Sequence, residues 1–270
     1  MNTRGARRAR FGQNGDGYLF LPQRPGQAPA VVVLHERYGL VQHTLDLARR
    51  LAEAGYVGLA PDLFSGWEGD RAALRRGDVR VELPDPQVAD VIGEALGYLR
   101  RHERVDGDKL GLMGVCQSGR YPIVVASQRA DLAACVVFYG AAQARDWDVS
   151  DLQPRPLEAM LRGLLAPCLF VFGEADHLIS IEDVRRVREV LEVGRRSHRM
   201  KVFAEAPHGW LNDTMPGRYR PEAASAAWRL LLGFLGEVFA GKWPPAGRVR
   251  WEFESDIGEA YDFSKNVRLE

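Results

Sequence analysis

Six short apolar runs punctuate the chain: AVVVLH (30–35), YVGLAP (56–61), KLGLMGV (109–115), AACVVFYG (133–140), PCLFVFG (167–173) and RMKVFAEA (199–206). They are too short for helices, and most lack the polar alternation of a half-exposed strand. This is the pattern of strands covered on both faces. Between them, TLDLARRLAEA (44–54), PQVADVIGEALGYLRRHE (86–103), SGRYPIVVASQRA (118–130), IEDVRRVREVLEV (181–193) and PEAASAAWRLLLGFLGEVFAG (221–241) carry apolar residues at helical spacing. Gly55 stops the first at a C′ position, and Pro122 falls in a tolerant first helical turn. Strands alternating with helices specify an α/β fold: a mostly parallel central sheet with helices on both faces. With 270 residues, such a core needs no disulfide or metal staple. Residues 1–242 are expected to form a single domain.

The flanks read differently. GDGYLFLP (15–22) reads as an edge hairpin strand. The basic start, within residues 1–14, reads as a frayed, solvated tail, and no apolar stretch of signal-peptide type follows it. The segment from Asp62 to Pro86 is polar, with glycines at 66, 69 and 77, and reads as a long excursion. From Trp243 to Glu270 two prolines and an alternating WEFE replace the helical pattern. We expect an extended tail lying on the domain or on a partner subunit, where it would build a homodimer.

Charge and cysteine content narrow the function. Lys+Arg and Asp+Glu are each 36, so no global field favours a nucleic acid or an anionic membrane. The longest apolar runs fall short of the ~20 residues that span a bilayer. Three cysteines, Cys116, Cys135 and Cys168, make no disulfide framework and suggest a reducing, cytoplasmic setting.

The sharpest chemical signal is Gly114-Val115-Cys116-Gln117-Ser118-Gly119, at a strand–helix junction. A nucleophile elbow has the pattern G-x-Nu-x-G there, because the turn is so tight that the residues two before and two after the nucleophile must be small. Gly114 satisfies this fully and Ser118 nearly so. Cys116 would stand above the sheet at a helix N-terminus, where free amides and the helix dipole favour a thiolate and a developing oxyanion. Ser118 is the weaker nucleophile, since centring the elbow on it puts Cys116 and Arg120 where small residues are needed. Cys135 and Cys168 lie inside apolar strands and read as structural thiols.

A thiol nucleophile needs a base and a group that orients it. In the order nucleophile, acid, histidine, the acid follows PCLFVFG: Asp176 is the first choice and Glu174 the second. The histidine follows RMKVFAEA, where Pro207 and Gly209 flank His208. Of the six histidines only His208 has both the order and the loop. The turn after AVVVLH carries His35-Glu36-Arg37-Tyr38-Gly39, and the amides of Gln117 and Arg37 are expected to form an oxyanion hole. The HE pair is no zinc motif, because Gly39 stands where a second histidine is required. Tyr38, Trp67, Tyr121, Tyr139 and Trp210 are candidate pocket walls, with Tyr38 and Trp210 expected to bind substrate.

Five segments in order, VVVLHERYGL, AGYVGLAPDLF, GLMGVCQSG, FGEADHLIS and APHGWLND, resemble the dienelactone hydrolase family of α/β-hydrolases over most of residues 15–240. The resemblance implies the α/β-hydrolase fold, a Cys-His-Asp triad of Cys116, His208 and Asp176, and hydrolysis of a small ester or lactone through a thioester. It implies that Glu36 helps deprotonate the thiol once substrate displaces its resting contacts. No metal or organic cofactor is implied. Where the dienelactone enzymes place an arginine soon after the histidine, Asn212 stands here; Arg71, Arg75, Arg76 and Arg80 in the excursion are alternative anion binders. The rival readings are a silent α/β-hydrolase scaffold that binds a ligand or partner, and a thiol redox sensor at Cys116.

Overall fold

The computed structural model describes residues 1–244 and 248–257. Its strands form one nine-stranded sheet. In chain order the strands are β1 (Ala6–Phe11), β2 (Gly15–Phe20), β3 (Ala28–Leu34), β4 (Val57–Pro61), β5 (Val105–Val115), β6 (Ala134–Phe138), β7 (Cys168–Gly173), β8 (His198–Phe203) and β9 (Trp251–Ser255). Across the sheet they run β1-β2-β4-β3-β5-β6-β7-β8-β9. The first two are antiparallel to their neighbours, and pairing from β4 to β9 is parallel throughout. The helices are α1 (Gln42–Glu53), α2 (Arg71–Arg76), α3 (Asp85–Arg101), α4 (Arg120–Ala126), α5 (Leu157–Arg162), α6 (Ile181–Val193) and α7 (Pro221–Phe239).

The unbroken apolar runs follow from a sheet covered on both sides. Val31 and Val33 of β3 and Met113 and Val115 of β5 face a core closed by Leu45, Leu47 and Leu51 of α1 and Leu231, Phe234 and Leu235 of α7. Their neighbours Val32, Leu34, Leu110 and Leu112 face the other core, closed by Ile92, Leu96 and Leu99 of α3, Met160 of α5 and Val187 of α6. Side chains alternate along a strand, so both faces must be apolar.

The N-terminal expectation is corrected. Residues 6–11 are not a frayed tail but the edge strand β1, in register with β2 from Ala6↔Phe20 to Phe11↔Gly15. Ala9 and Phe11 are buried, whereas Arg8 points outward and pairs bidentately with Asp16 at 2.9 and 2.6 Å. The density of arginine hides the two alternate positions, Ala9 and Phe11, that face inward. GDGYLFLP accordingly lies one strand in from the edge.

Beyond Trp243, β9 adds to β8 from His198↔Trp251 to Val202↔Ser255. Lys201 of β8 pairs with Glu254 at 2.7 Å and with Asp256 at 2.5 Å, and Arg199 pairs with Glu252. The rest of the expected tail, 245–247 and 258–270, and any homodimer contact it makes, lies outside the described residues. Among the described residues no helix is long and apolar enough to cross a membrane.

Candidate active site

The site lies at the carboxyl ends of the parallel strands, where open α/β sheets place their ligands. β5 ends at Val115, and one turn of 3-10 helix (Cys116–Gly119) leads into α4. Cys116 has φ 55°, a left-handed conformation that costs a non-glycine residue about 1–3 kcal/mol. The packing that holds it leaves no room for side chains. A Cβ on Gly114 would lie 2.3 Å from the Ser118 carbonyl oxygen, and one on Gly119 would lie 2.5 Å from Cα of Gly140. Ser118 does not crowd the turn but ties it. Its Oγ accepts from the Val115 amide at 3.1 Å and lies within donating reach of the Leu34 carbonyl at 3.2 Å. The elbow is thereby tied to the end of β3.

His208 and Asp176 converge on Cys116 from the loops after β8 and β7. His208 Nε2 is 3.1 Å from Cys116 Sγ, and its Nδ1 is 2.8 Å from Asp176 Oδ2. The other carboxylate oxygen, Oδ1, accepts from the amides of Leu178 at 2.8 Å and Ile179 at 3.2 Å, which leaves Oδ2 to the imidazole. Glu174 is directed elsewhere: its Oε2 accepts from the Glu205 amide. Burial alone would lower the His208 pKa, but the Asp176 carboxylate and Cys116 sulfur outweigh it and hold the ring well above the ordinary histidine range.

The loop after β3 is held from below by His35, which is buried. Its Nδ1 donates to the Glu36 carbonyl at 2.8 Å and its Nε2 accepts from the Leu63 amide at 3.0 Å. These two bonds fix the neutral tautomer, and burial pushes its pKa down. The side chain of Glu36 is also buried, and its Oε2 accepts from Asn212 Nδ2 at 2.5 Å. Asn212 cannot present its oxygen instead, because Oδ1 already accepts from the Thr214 amide at 3.0 Å and hydroxyl at 2.7 Å. Asn212 thus stands as a neutral partner of Glu36. Beneath His208, the Tyr139 ring lies edge-on at 5.3 Å. Burial first, and then its neighbours Glu36, Cys116 and Asp176, raise its phenol well above the ordinary range.

A cavity of about 210 Å³ opens over Cys116 and His208. Glu36, Tyr38 and Gln117 line it, together with Arg37, Arg80 and Arg218. The Arg37 side chain is fixed by donation to the Gly77 carbonyl at 2.6 Å, and the Gln117 side chain by donation to the Val81 carbonyl at 2.7 Å. Arg80 pairs with Glu82 at 2.8 Å. Of the excursion arginines only Arg80 reaches this cavity: Arg71 binds Asp62, Arg76 binds Asp78, and Arg75 lies outside the lining.

The expectation for Trp210 is corrected: its indole is fully buried against Phe138, Tyr139 and Phe203 and does not line the cavity. Gly209, at φ +85°, turns the chain so that the two successive large side chains diverge, His208 into the site and Trp210 into the core. Sequence reasoning missed His177, Gln143 and Arg218. His177 sits one residue after Asp176, a usable signal; nothing local marks Arg218, ten positions beyond His208.

Fold and site together define an α/β-hydrolase with a cysteine at the elbow. The comparisons with known proteins are specific on the family. Residues 16–239 match the Dienelactone hydrolase family, and the chain belongs to it. It is therefore a hydrolase. A protein of Methylorubrum extorquens named "Putative carboxymethylenebutenolidase" is 30% identical over 79% of this chain and 74% of its own. A Bradyrhizobium protein named "Probable 2-oxo-3-(5-oxofuran-2-ylidene)propanoate lactonase" is 30% identical over 86% of this chain and 94% of its own. The crystal structure of a "Putative Dienelactone Hydrolase from Klebsiella pneumoniae" superposes with a TM-score of 0.73 at 27% identity, covering 84% of this chain and 94% of that one.

Proposed function

We propose that this protein hydrolyses small esters or lactones through a thioester on Cys116. The observation that carries the reading is the line of contacts from Asp176 through His208 to Sγ, at 2.8 and 3.1 Å. Cys116 Sγ, its proton passed to His208 with help from Glu36, attacks the carbonyl carbon and forms a C–S bond. The amides of Gln117 and Arg37 hold the oxyanion, each worth about 3–4 kcal/mol where such donors have been removed. The tetrahedral intermediate collapses with cleavage of the C–O bond, and His208 gives its proton to the leaving oxygen. A water deprotonated by His208 then adds to the thioester, the C–S bond breaks, and the thiol and a carboxylic acid are regenerated.

Three arginines among the residues lining the cavity favour a substrate that carries a carboxylate. The lactone in the name of the Bradyrhizobium relative, a propanoate, has that chemistry. A free thiol nucleophile keeps its reduced state in the cytoplasm, which is the setting we assign to it. The test is p-nitrophenyl acetate turnover, with mass spectrometry of the acyl-enzyme trapped at low pH. Cys116→Ala should abolish turnover, and the added acyl mass should map to Cys116. Normal turnover by Cys116→Ala would overturn the reading.

A further inference from the structure

A second cavity, of about 220 Å³, shares Cys116, Gln117 and Gln143 with the first and so also borders the nucleophile. Its charge balance is different. Glu82, Asp85, Asp146 and Asp148 line it, against two arginines, Arg120 and Arg145. Both arginines are already matched. Arg120 is buried and donates to the two oxygens of Asp85, at 3.1 and 2.9 Å, and to Asp146 Oδ1 at 3.4 Å. Arg145 pairs with Glu82 at 2.5 Å, and Glu82 also takes Arg80 of the first cavity at 2.8 Å. The lining offers no unmatched cation, so a carboxylate or phosphate is disfavoured here.

Other polar side chains of the lining are not engaged by the protein. Asp148 is exposed and enters no ion pair among the described residues. Gln153 is half-buried, and its bonds are made by its backbone: its N–H donates to the Ser150 carbonyl at 3.0 Å and Oγ at 3.1 Å, and its carbonyl accepts from the Ser150 N–H at 2.9 Å. This reciprocal turn fixes the backbone of 150–153 and leaves the Gln153 amide to a ligand. Gln117 Nε2 is held by the Val81 carbonyl at 2.7 Å, while its Oε1 is buried with no hydrogen-bond partner among the described residues. A buried acceptor without a donor is costly unless a ligand or a water supplies one. A carboxylate and the amides of Gln117, Gln143 and Gln153 together call for a group that donates, accepts in return and carries no charge, which is a hydroxyl. Leu83, Tyr121 and Leu152 add apolar surface for the carbons that bear such hydroxyls.

We propose that this cavity binds a neutral, hydroxyl-rich part of the substrate beside its ester carbonyl, so that the substrate class is a polyhydroxylated lactone or ester. This rests on the hydrolase reading of Cys116 and deepens it. For a lactone the steps balance within one ring. Sγ bonds to the carbonyl carbon, the ring C–O bond breaks, and the ring oxygen takes the proton from His208 and stays tethered as one more hydroxyl. Water then adds to the thioester, the C–S bond breaks, and the polyhydroxy acid leaves as the thiol is restored. A lactone is also the decisive probe, because its acyl and alcohol arms lie in one ring and the test does not depend on which arm enters the cavity.

The experiment measures kcat/KM by pH-stat for D-ribono-γ-lactone, γ-valerolactone and homoserine lactone in the wild type, Gln153→Met and Asp148→Ala. Hydroxyls also activate a carbonyl inductively, so the ratio between lactones is compared across proteins. Each variant should lower kcat/KM for the ribonolactone by about fivefold or more, the size of one hydrogen bond to substrate, and leave γ-valerolactone within twofold. Both substitutions fall on the loop at 148–153, where Asp148 is exposed and Gln153 half-buried, so folding should survive. Ratios within twofold of wild type, or equal loss on both lactones, would overturn the proposal. A loss confined to homoserine lactone in Asp148→Ala would show that the cavity reads an ammonium and would overturn it too, as would a wild type that turns over p-nitrophenyl acetate but not the ribonolactone. A wild type that hydrolyses neither the nitrophenyl ester nor any of the lactones would instead strike the hydrolase reading, so the two failures are separable.

Discussion

Replacing Asp176 by asparagine changes one atom of the site and should disable it. In the wild type, Oδ1 accepts from the amides of Leu178 and Ile179 while Oδ2 meets His208 Nδ1. An amide side chain has one acceptor and one donor end. The two backbone N–H groups demand the acceptor, so the NH₂ must face His208 and donate to Nδ1. The proton of the neutral ring then moves to Nε2, which sits 3.1 Å from Sγ and now points a hydrogen at it instead of accepting one. The base is lost although every heavy atom keeps its place. In serine triads the same change lowers kcat by about 10⁴-fold, which corresponds to about 5 kcal/mol. A thiol is more acidic than a hydroxyl, so we expect a fall of at least about 10²-fold here. The assay is kcat for p-nitrophenyl acetate across pH, alongside the thermal unfolding midpoint, which should move little. Alkaline pH should restore part of the activity by ionising the thiol directly. A variant within threefold of wild type at neutral pH would refute the argument.

Glu36→Gln keeps an oxygen for Asn212 to donate to, so the loop should stay in place; kcat should nevertheless fall by about 10²-fold, the range of general acid–base contributions. A normal kcat together with a normal thiolate titration would remove Glu36 from the mechanism. His35 sets an acid limit on stability: its folded pKa is depressed while the unfolded chain titrates near about 6.5, so below that pH the unfolded state binds the extra proton. Stability from His35 is complete above that value and is lost as pH falls, by at most about 1.4 kcal/mol per pH unit. His208, held above the ordinary range, works in the opposite direction, so urea midpoints at pH 7.5 and 5.5 should be compared between wild type and His35→Gln. An identical pH dependence in the two proteins would contradict the tautomer assigned to His35.

What the sequence determined by itself was local. Cys116, Asp176 and His208 each follow a strand that is apolar on both faces, and the turns that project them are written in neighbouring residues: Gly114 before the elbow, Pro207 and Gly209 around the histidine. The order of these strands along the chain was enough to predict that the three meet. What only tertiary structure decided was where side chains point and which segments share a wall. Glu174 and Asp176 are near-equivalents in sequence; the loops around them distinguish the two, since the Glu205 amide, just after β8, takes up Glu174 while the amides of Leu178 and Ile179 turn Asp176 toward His208. Trp210 reads as a pocket wall until Phe138 and Phe203 are seen to bury it. β1 reads as a solvated tail because a strand's stability lies in its pairing partner, here β2 across a tight turn, and not in the propensity of ARRARF. The arginines of the cavity come from positions 37, 80 and 218, and the buried Arg120 joins Asp85 to Asp146. Charge pairing over such separations depends on distance in space, to which the spacing of residues along the chain gives no access.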